Sequence, residues 1–148
     1  MTDGVEIQVE NRSSLEVQPE TVISLAEKVL GQLGVDRGEL GVTFVDDREM
    51  RKLNREKMGK DRPTDVLAFP IDTGAGRTGD GEVPLLLGDI VISPEVAEAQ
   101  AESEGTTFKE EMCLLLIHGI LHIAGSDHEK DSGEMDQLQN RLFNQLCF

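Results

Sequence analysis

The stretch "FKEEMCLLLIHGILHIA", Phe108 to Ala124, constrains the fold of this 148-residue chain more than any other segment. Its apolar residues do not form a stripe. They run unbroken from Met112 to Ile117 and then recur on every side as far as Ala124, and a helix without a continuous polar face has to be buried among other elements. Its ends are marked as well: Thr107 and Glu110 have the spacing of a capping box at the start, and Gly125 is a stop at the finish. The run from Met112 to Ile117 falls far short of the roughly 20 apolar residues that span a bilayer. The sequence therefore predicts a core helix in a soluble protein.

A buried helix needs other elements to cover it. Val5, Ile7 and Val9 alternate as in a half-buried strand, and "PETVISLAEKVLGQLG" has apolar residues at helical spacing with Gly34 as its stop. Gly41 to Val45 reads as a second strand. Asp46 or Asp47 can cap a short basic helix that runs to about Lys57 and is broken by Gly59. "TDVLAFP" reads as a third strand ended by Pro70, and "LGDIVIS" as a fourth. Between them Asp72 to Pro84, "DTGAGRTGDGEVP", is rich in glycine and poor in apolar side chains, which predicts a mobile surface loop within one domain. Ser93 as cap and Pro94 at the first helical position open another helix, which ends near Gly105. A last amphipathic helix, from about Ser132 to Leu146, has Met135, Leu138, Leu142 and Leu146 on one face. Four strands and about five helices predict an α+β fold, a small four-stranded mixed sheet packed against the helices. A length of 148 residues suits a single domain, 1–148.

Every histidine of the chain lies in "HGILHIAGSDH", His118 to His128. His118 and His122 stand four apart on the apolar helix, so their side chains leave the same face. Gly125 ends the helix, and a reversal through Gly125, Ser126 and Asp127 would bring His128 back toward them. Three imidazoles suit Zn²⁺ and related transition metals, and three protein ligands leave a tetrahedral ion one position for water, the catalytic arrangement. Left unligated, three imidazoles in one apolar neighbourhood would each need a hydrogen-bond partner, and Ser126 and Asp127 are the main ones nearby. The spacing H-x-x-x-H-x-x-G-x-x-H is also that of the metzincin peptidases. Those enzymes carry a glutamate after the first histidine as general base, and here that position is Gly119. A glycine within a helix points to close approach of a backbone or a substrate.

The formal net charge of −15 argues against indiscriminate binding of nucleic acid. The charge is uneven, however. Arg48 to Arg62, "REMRKLNREKMGKDR", holds seven of the fourteen lysines and arginines against three acids, a local charge of +4. Such a segment is either a solvated helix face or a local anion site. In the second case Arg51, Arg55, Lys57, Lys60 and Arg62 are the candidate anion contacts. The acidic, polar N-terminus has no secretory character. Cys113 and Cys147, 34 positions apart in apolar contexts, match no zinc or redox spacing and read as separate core thiols in the reducing cytoplasm.

The chain resembles the YbeY family of bacterial rRNA-processing endoribonucleases. The resemblance rests on "HGILHIAGSDH", "LGDIVIS" and "MRKLNREKMGKDRPTDVLAFP", which occur in the family's order and spacing and together cover most of the chain. It implies an α+β fold, one Zn²⁺ per chain on His118, His122 and His128, and cleavage of single-stranded RNA. It also implies work on the ribosome, including maturation of small-subunit rRNA and quality control. The implied partners are rRNA and ribosomal particles, a small-subunit ribosomal protein and an assembly GTPase, with no membrane. Two positions depart from the family pattern. Ser126 replaces a tyrosine, and Lys57-Met58 replaces a Tyr-Arg pair whose arginine is thought to be functionally important. Lys57 or Lys60 could supply charge in its place, without the planar fork of arginine.

Three functions follow from these residues. The first is a metal-dependent endoribonuclease, with zinc-bound water, and His118 as the one side chain singled out, as the candidate catalytic groups and no general base identified. The second is a non-catalytic ribosome-assembly factor in which the zinc holds the last two helices. The third is a metallopeptidase, which Gly119 disfavours. A chain with no tryptophan or tyrosine and five phenylalanines offers little base stacking, so RNA would be held by phosphate contacts or by the ribosome as context.

Overall fold

The structure, a computed structural model, describes residues 4–71, 86–125 and 133–147. β1 (Gly4–Asn11) and β2 (Arg37–Phe44) are parallel neighbours joined through α1 (Pro19–Gln32), and β4 (Leu86–Ile92) lies parallel to β2 on its other side. β3 (Val66–Pro70) runs antiparallel to β4 and completes the order β1-β2-β4-β3, a mixed sheet with β3 at an edge. α2 (Asp47–Met58) precedes β3. After β4 come α3 (Pro94–Glu104), α4 (Phe108–Ile120), a π-helical turn at Leu121–Gly125, and α5 (Glu134–Leu146). The α+β architecture expected from the sequence is the one observed. The glycine-rich segment Asp72–Pro84, His128 and the expected helix start at Ser132 lie outside the described residues.

The apolar helix is buried, as its pattern requires. Ile117, Ile120 and Leu121 are fully buried, and they share one core with Leu40, Val42, Phe44, Ile90 and Ile92 of the sheet and with Val29 and Leu30 of α1. Thr107 and Glu110 form the capping box: the Glu110 amide donates to Thr107 Oγ1 at 3.0 Å, and the Thr107 amide donates to Glu110 Oε1 at 2.9 Å. The other sheet face holds a smaller cluster, in which Met50 of α2 packs with Val45, Leu67 and Val91. Helices α2 and α4 thus lie on opposite faces of the β3–β4 ladder.

The structure differs from the sequence reading in several places. β2 begins at Arg37, four residues before the expected Gly41, because β1 pairs with it along its whole length, from Gly4↔Arg37 to Asn11↔Phe44. Charged Arg37 and Glu39 beside Gly38 hid that start. Asp46 is the N-cap of α2, yet its side chain makes no capping bond. Asp46 Oδ1 accepts instead from the Ser14 amide at 2.9 Å, and the half-buried Asp47 amide donates to Glu95 Oε1 at 2.9 Å. Ser93, fully buried, returns the connection by donating to Asp47 Oδ1 at 2.9 Å, so the starts of α2 and α3 are tied together. Cys113 and Cys147 are joined as a disulfide, with Cα atoms 6.1 Å apart, and not held as separate thiols. Tertiary folding sets that pairing, and no local spacing could reveal it.

Glu111 is the unexpected buried acid of α4, 5% exposed, and it accepts from Thr106 Oγ1 at 3.3 Å. Burial, reinforced by the neighbouring Glu104 carboxyl, raises its pKa above the ordinary glutamate value. The folded chain therefore holds this proton more tightly than the unfolded chain does. Its contribution to stability is present below the unfolded value of about 4.3 and is lost as pH rises through the raised folded value. Glu111→Gln keeps an oxygen acceptor for Thr106 and removes the ionisation. The variant should be more stable than the parent at neutral pH and should lose less stability between about pH 4 and pH 7, as read from denaturant midpoints. Identical pH profiles for the two proteins would show that this proton is not linked to folding.

Candidate active site

The last turn of α4 and the π-helical turn after it carry the two described histidines. Their half-buried rings meet edge to face, with centroids 4.4 Å apart and planes at 66°. The Nε2 atoms of His118 and His122 are 3.0 Å apart. Two nitrogens bound to one tetrahedral zinc at 2.0–2.1 Å would be separated by about 3.3 Å, so a small opening of this pair admits an ion. On its other side His118 Nδ1 lies 2.7 Å from Oε1 of Gln139, on α5. Among the described residues no third histidine, cysteine or carboxylate joins the pair. Donor type and spacing both fit a transition metal, and π turns recur where a helix is adapted to a functional site.

Gly119 has a different use from the one its sequence suggested. A Cβ there would sit 2.8 Å from Cγ2 of Ile90 and 3.1 Å from its Cδ1. The glycine admits a side chain of β4 against the helix, not a backbone or a substrate. Gly88, at φ +151°, has a similar role one layer on. A Cβ there would sit 2.6 Å from the Phe69 carbonyl oxygen and 3.1 Å from Ile123 Cδ1, in the π-helical turn. The two glycines seat the histidine-bearing segment on β3 and β4.

The basic segment lies along α2 and the loop that follows it. Arg51 makes a two-pronged contact with Asp61, Nε to Oδ1 at 2.9 Å and Nη2 to Oδ2 at 3.2 Å, and Arg55 Nη1 is 3.6 Å from the same carboxylate. The hydrogen bond from Arg51, helped by its charge and that of Arg55, lowers the Asp61 pKa. Lys57, Lys60 and Arg62 are exposed and have no ion-pair partner among the described residues. Met58 is 56% exposed. The loop is held from beneath by Asn54, 3% exposed, whose Nδ2 donates to the Arg62 carbonyl at 2.8 Å, while Gly59 in a left-handed conformation turns the chain.

Sequence reasoning missed Asn54 and Gln139. Each had a signal, a lone amide within an apolar face: Asn54 is four residues after Met50, and Gln139 stands between Met135 and Leu142. Away from the histidines, a cavity of about 680 Å³ opens beside the first half of α4, lined by Val22, Leu25, Phe108, Met112 and Leu146 among others. It contains neither histidine.

A family model described as "Endoribonuclease YbeY" matches residues 6–147. A relative from Salinispora tropica, named Endoribonuclease YbeY, is 43% identical over 92% of each chain. Relatives of the same name from a Sulfurihydrogenibium species and from Aquifex aeolicus are 41% and 39% identical, over 90% and 88% of this chain and 86% and 85% of their own. A solution structure of a Thermotoga maritima protein superposes with a TM-score of 0.64 at 28% identity, covering 95% of this chain and 88% of that one.

The contact at Gly119 sets expectations for substitution. Alanine there gains about 1 kcal/mol of helix propensity, but it drives a methyl into a fully buried, χ1-restricted isoleucine, so Gly119→Ala should lose a net 1–2 kcal/mol of stability, roughly. Gly119→Glu restores the metzincin lettering and should still yield no peptidase, because its side chain starts in space that Ile90 occupies. Casein cleavage by that variant, absent from the parent and abolished by chelator, would contradict this reading.

Proposed function

This chain belongs to the endoribonuclease YbeY family, and we propose that it is a metal-dependent, single-strand-specific endoribonuclease of the cytoplasm that acts in small-subunit rRNA maturation and ribosome quality control. The observation that supports this best is the 3.0 Å convergence of His118 and His122 Nε2 at the end of a buried helix. His128 is the proposed third ligand, and Zn²⁺, one per chain, the proposed ion. Bound there, the ion would polarise a phosphoryl oxygen and lower the pKa of a water molecule.

The chain's own residues do the binding and the orienting. Lys57, Lys60 and Arg62, without an ion-pair partner among the described residues, offer charge to the RNA backbone. Arg51 and Arg55 are held by Asp61 in an exposed cluster, and a phosphate can compete for them because such surface pairs are weak. β3 is an edge strand among the described residues, with α2 on one face of its ladder and α4 on the other. A single strand passing over that edge can meet both the basic segment and the histidines. We propose one functional domain over residues 1–148, acting on rRNA in ribosomal particles, with a small-subunit ribosomal protein and an assembly GTPase as partners. Met58 favours a second reading, a non-catalytic assembly factor, since it removes a planar phosphate-binding fork at that position.

Cleavage assays separate the two. Metal-loaded parent should cut single-stranded rRNA fragments, and His122→Ala should lose at least about 100-fold, beyond what loss of an outer hydrogen-bond partner usually costs. No cleavage by the loaded parent, with binding to small-subunit particles retained, would favour the assembly factor. Lys57→Ala or Lys60→Ala should weaken RNA binding and reduce its salt dependence by about one phosphate contact, leaving metal content unchanged. Met58→Arg should raise cleavage. Lysine variants that bind and cut like the parent across a range of salt would make the segment a solvated helix face.

A further inference from the structure

His118 can present Nε2 to an ion only if its proton resides on Nδ1. A neutral imidazole carries one proton, and the hydrogen bond made by one nitrogen decides which of the two is free to ligate. In this chain the group that meets Nδ1 is Oε1 of Gln139 at 2.7 Å, near the short end of the range for N–H···O bonds. A carbonyl oxygen can only accept, so Nδ1 donates to it and the Nε2 lone pair faces His122. The 3.0 Å contact between the two Nε2 atoms is then His122 Nε2–H donating to His118 Nε2, one shared proton that an arriving cation displaces.

Packing on both sides fixes the position of Gln139. Met135 and Leu142, four residues before it and three after, are buried in the core, and Leu138 packs against that core. The Cys113–Cys147 disulfide ties the end of α5 to α4 five residues before His118. An amide in the middle of an apolar helix face needs a partner, and among the described residues the partner is His118. We propose that Gln139 is a positioning residue, which fixes the Nδ1-protonated tautomer and the ring orientation of His118 so that Nε2 is presented to a divalent metal ion. This rests on the assignment of His118 and His122 as metal ligands.

The test uses the full chain in four forms: parent, Gln139→Leu, which keeps the bulk and loses the acceptor, Gln139→Glu, which keeps an acceptor, and His118→Ala, which removes the proposed ligand. Long-range ¹H–¹⁵N spectra of metal-free protein report the tautomer directly. His118 should be Nδ1-protonated in the parent and in Gln139→Glu, and should shift toward the Nε2-protonated form in Gln139→Leu. Competition with a chromogenic chelator should show Zn²⁺ bound 10–100-fold more weakly by Gln139→Leu, about the usual loss for an outer hydrogen-bond partner, and at least as tightly as the parent by Gln139→Glu. A parent-like tautomer and Zn²⁺ affinity in Gln139→Leu would overturn the proposal. Equal weakening in both variants would overturn it too, by showing a packing effect. Unchanged Zn²⁺ affinity in His118→Ala would instead overturn the metal assignment, a failure distinguishable from the others because the tautomer spectra need no metal.

Discussion

The contact of α4 with the middle of β4, made where Gly119 meets Ile90, is the interaction on which the rest of the molecule depends. Ile90 lies on the central strand pair, and Ile117, Ile120 and Leu121 belong to the same core, each fully buried. Burying one such side chain contributes about 1.5–3 kcal/mol, against a net stability of about 5–15 kcal/mol for a whole domain. A small residue on the helix lets its axis approach the sheet closely enough for these side chains to interlock. The same approach places the final turn of α4 over the β3–β4 end, where Gly88 accommodates Ile123. The distance between the imidazoles is thus inherited from core packing.

Much of this was legible in the sequence because the informative features were periodic or capped. The capping box at Thr107, the serine–proline start at Ser93 and the glycine stops at Gly34, Gly59 and Gly105 fall where the chain says they should. The i, i+4 spacing of His118 and His122 translates directly into neighbouring nitrogens. What stayed hidden depends on partners distant in sequence. The early start of β2 is drawn out by β1, the capping of α2 comes from Glu95 across 48 positions, and the disulfide spans 34. Asn54 and Gln139 belong to the same class. Each polar side chain looks like an interruption of an apolar face until the element that packs against that face supplies its partner.

Helix α4 also carries contrasting polar groups at its two ends. Near its start, burial of Glu111 and the neighbouring Glu104 together raise the Glu111 pKa above the ordinary value. Near its finish, two imidazoles face each other with room for one proton between them. Both arrangements are costly inside a core unless hydrogen bonds satisfy them, and in both a neutral oxygen group does so: the Thr106 hydroxyl for Glu111, the Gln139 amide for His118. Neutral partners keep net charge out of the core. A carboxylate in place of Gln139 would add a negative charge beside the imidazoles, which a bound cation would balance.

The distribution of surface charge gives this site a direction of approach. On the sheet face turned away from α4, Glu6 and Glu10 are exposed, Glu39 is half-buried and Asp89 is exposed, and Glu6 is the register partner of Glu39. A side-chain hydrogen bond that the Glu39 carboxyl donates to Glu6 holds the Glu39 pKa above the ordinary value, a sign that the two carboxyls crowd each other. The β1–β2 side of the molecule therefore repels a phosphate backbone, while the +4 segment beside β3 attracts one in a chain of net charge −15. A polyanion is turned from one edge of the sheet toward the other. Long-range repulsion and local attraction thus favour the same edge, where the loop held by Asn54 and the histidine turn seated on Gly88 come to the same strand.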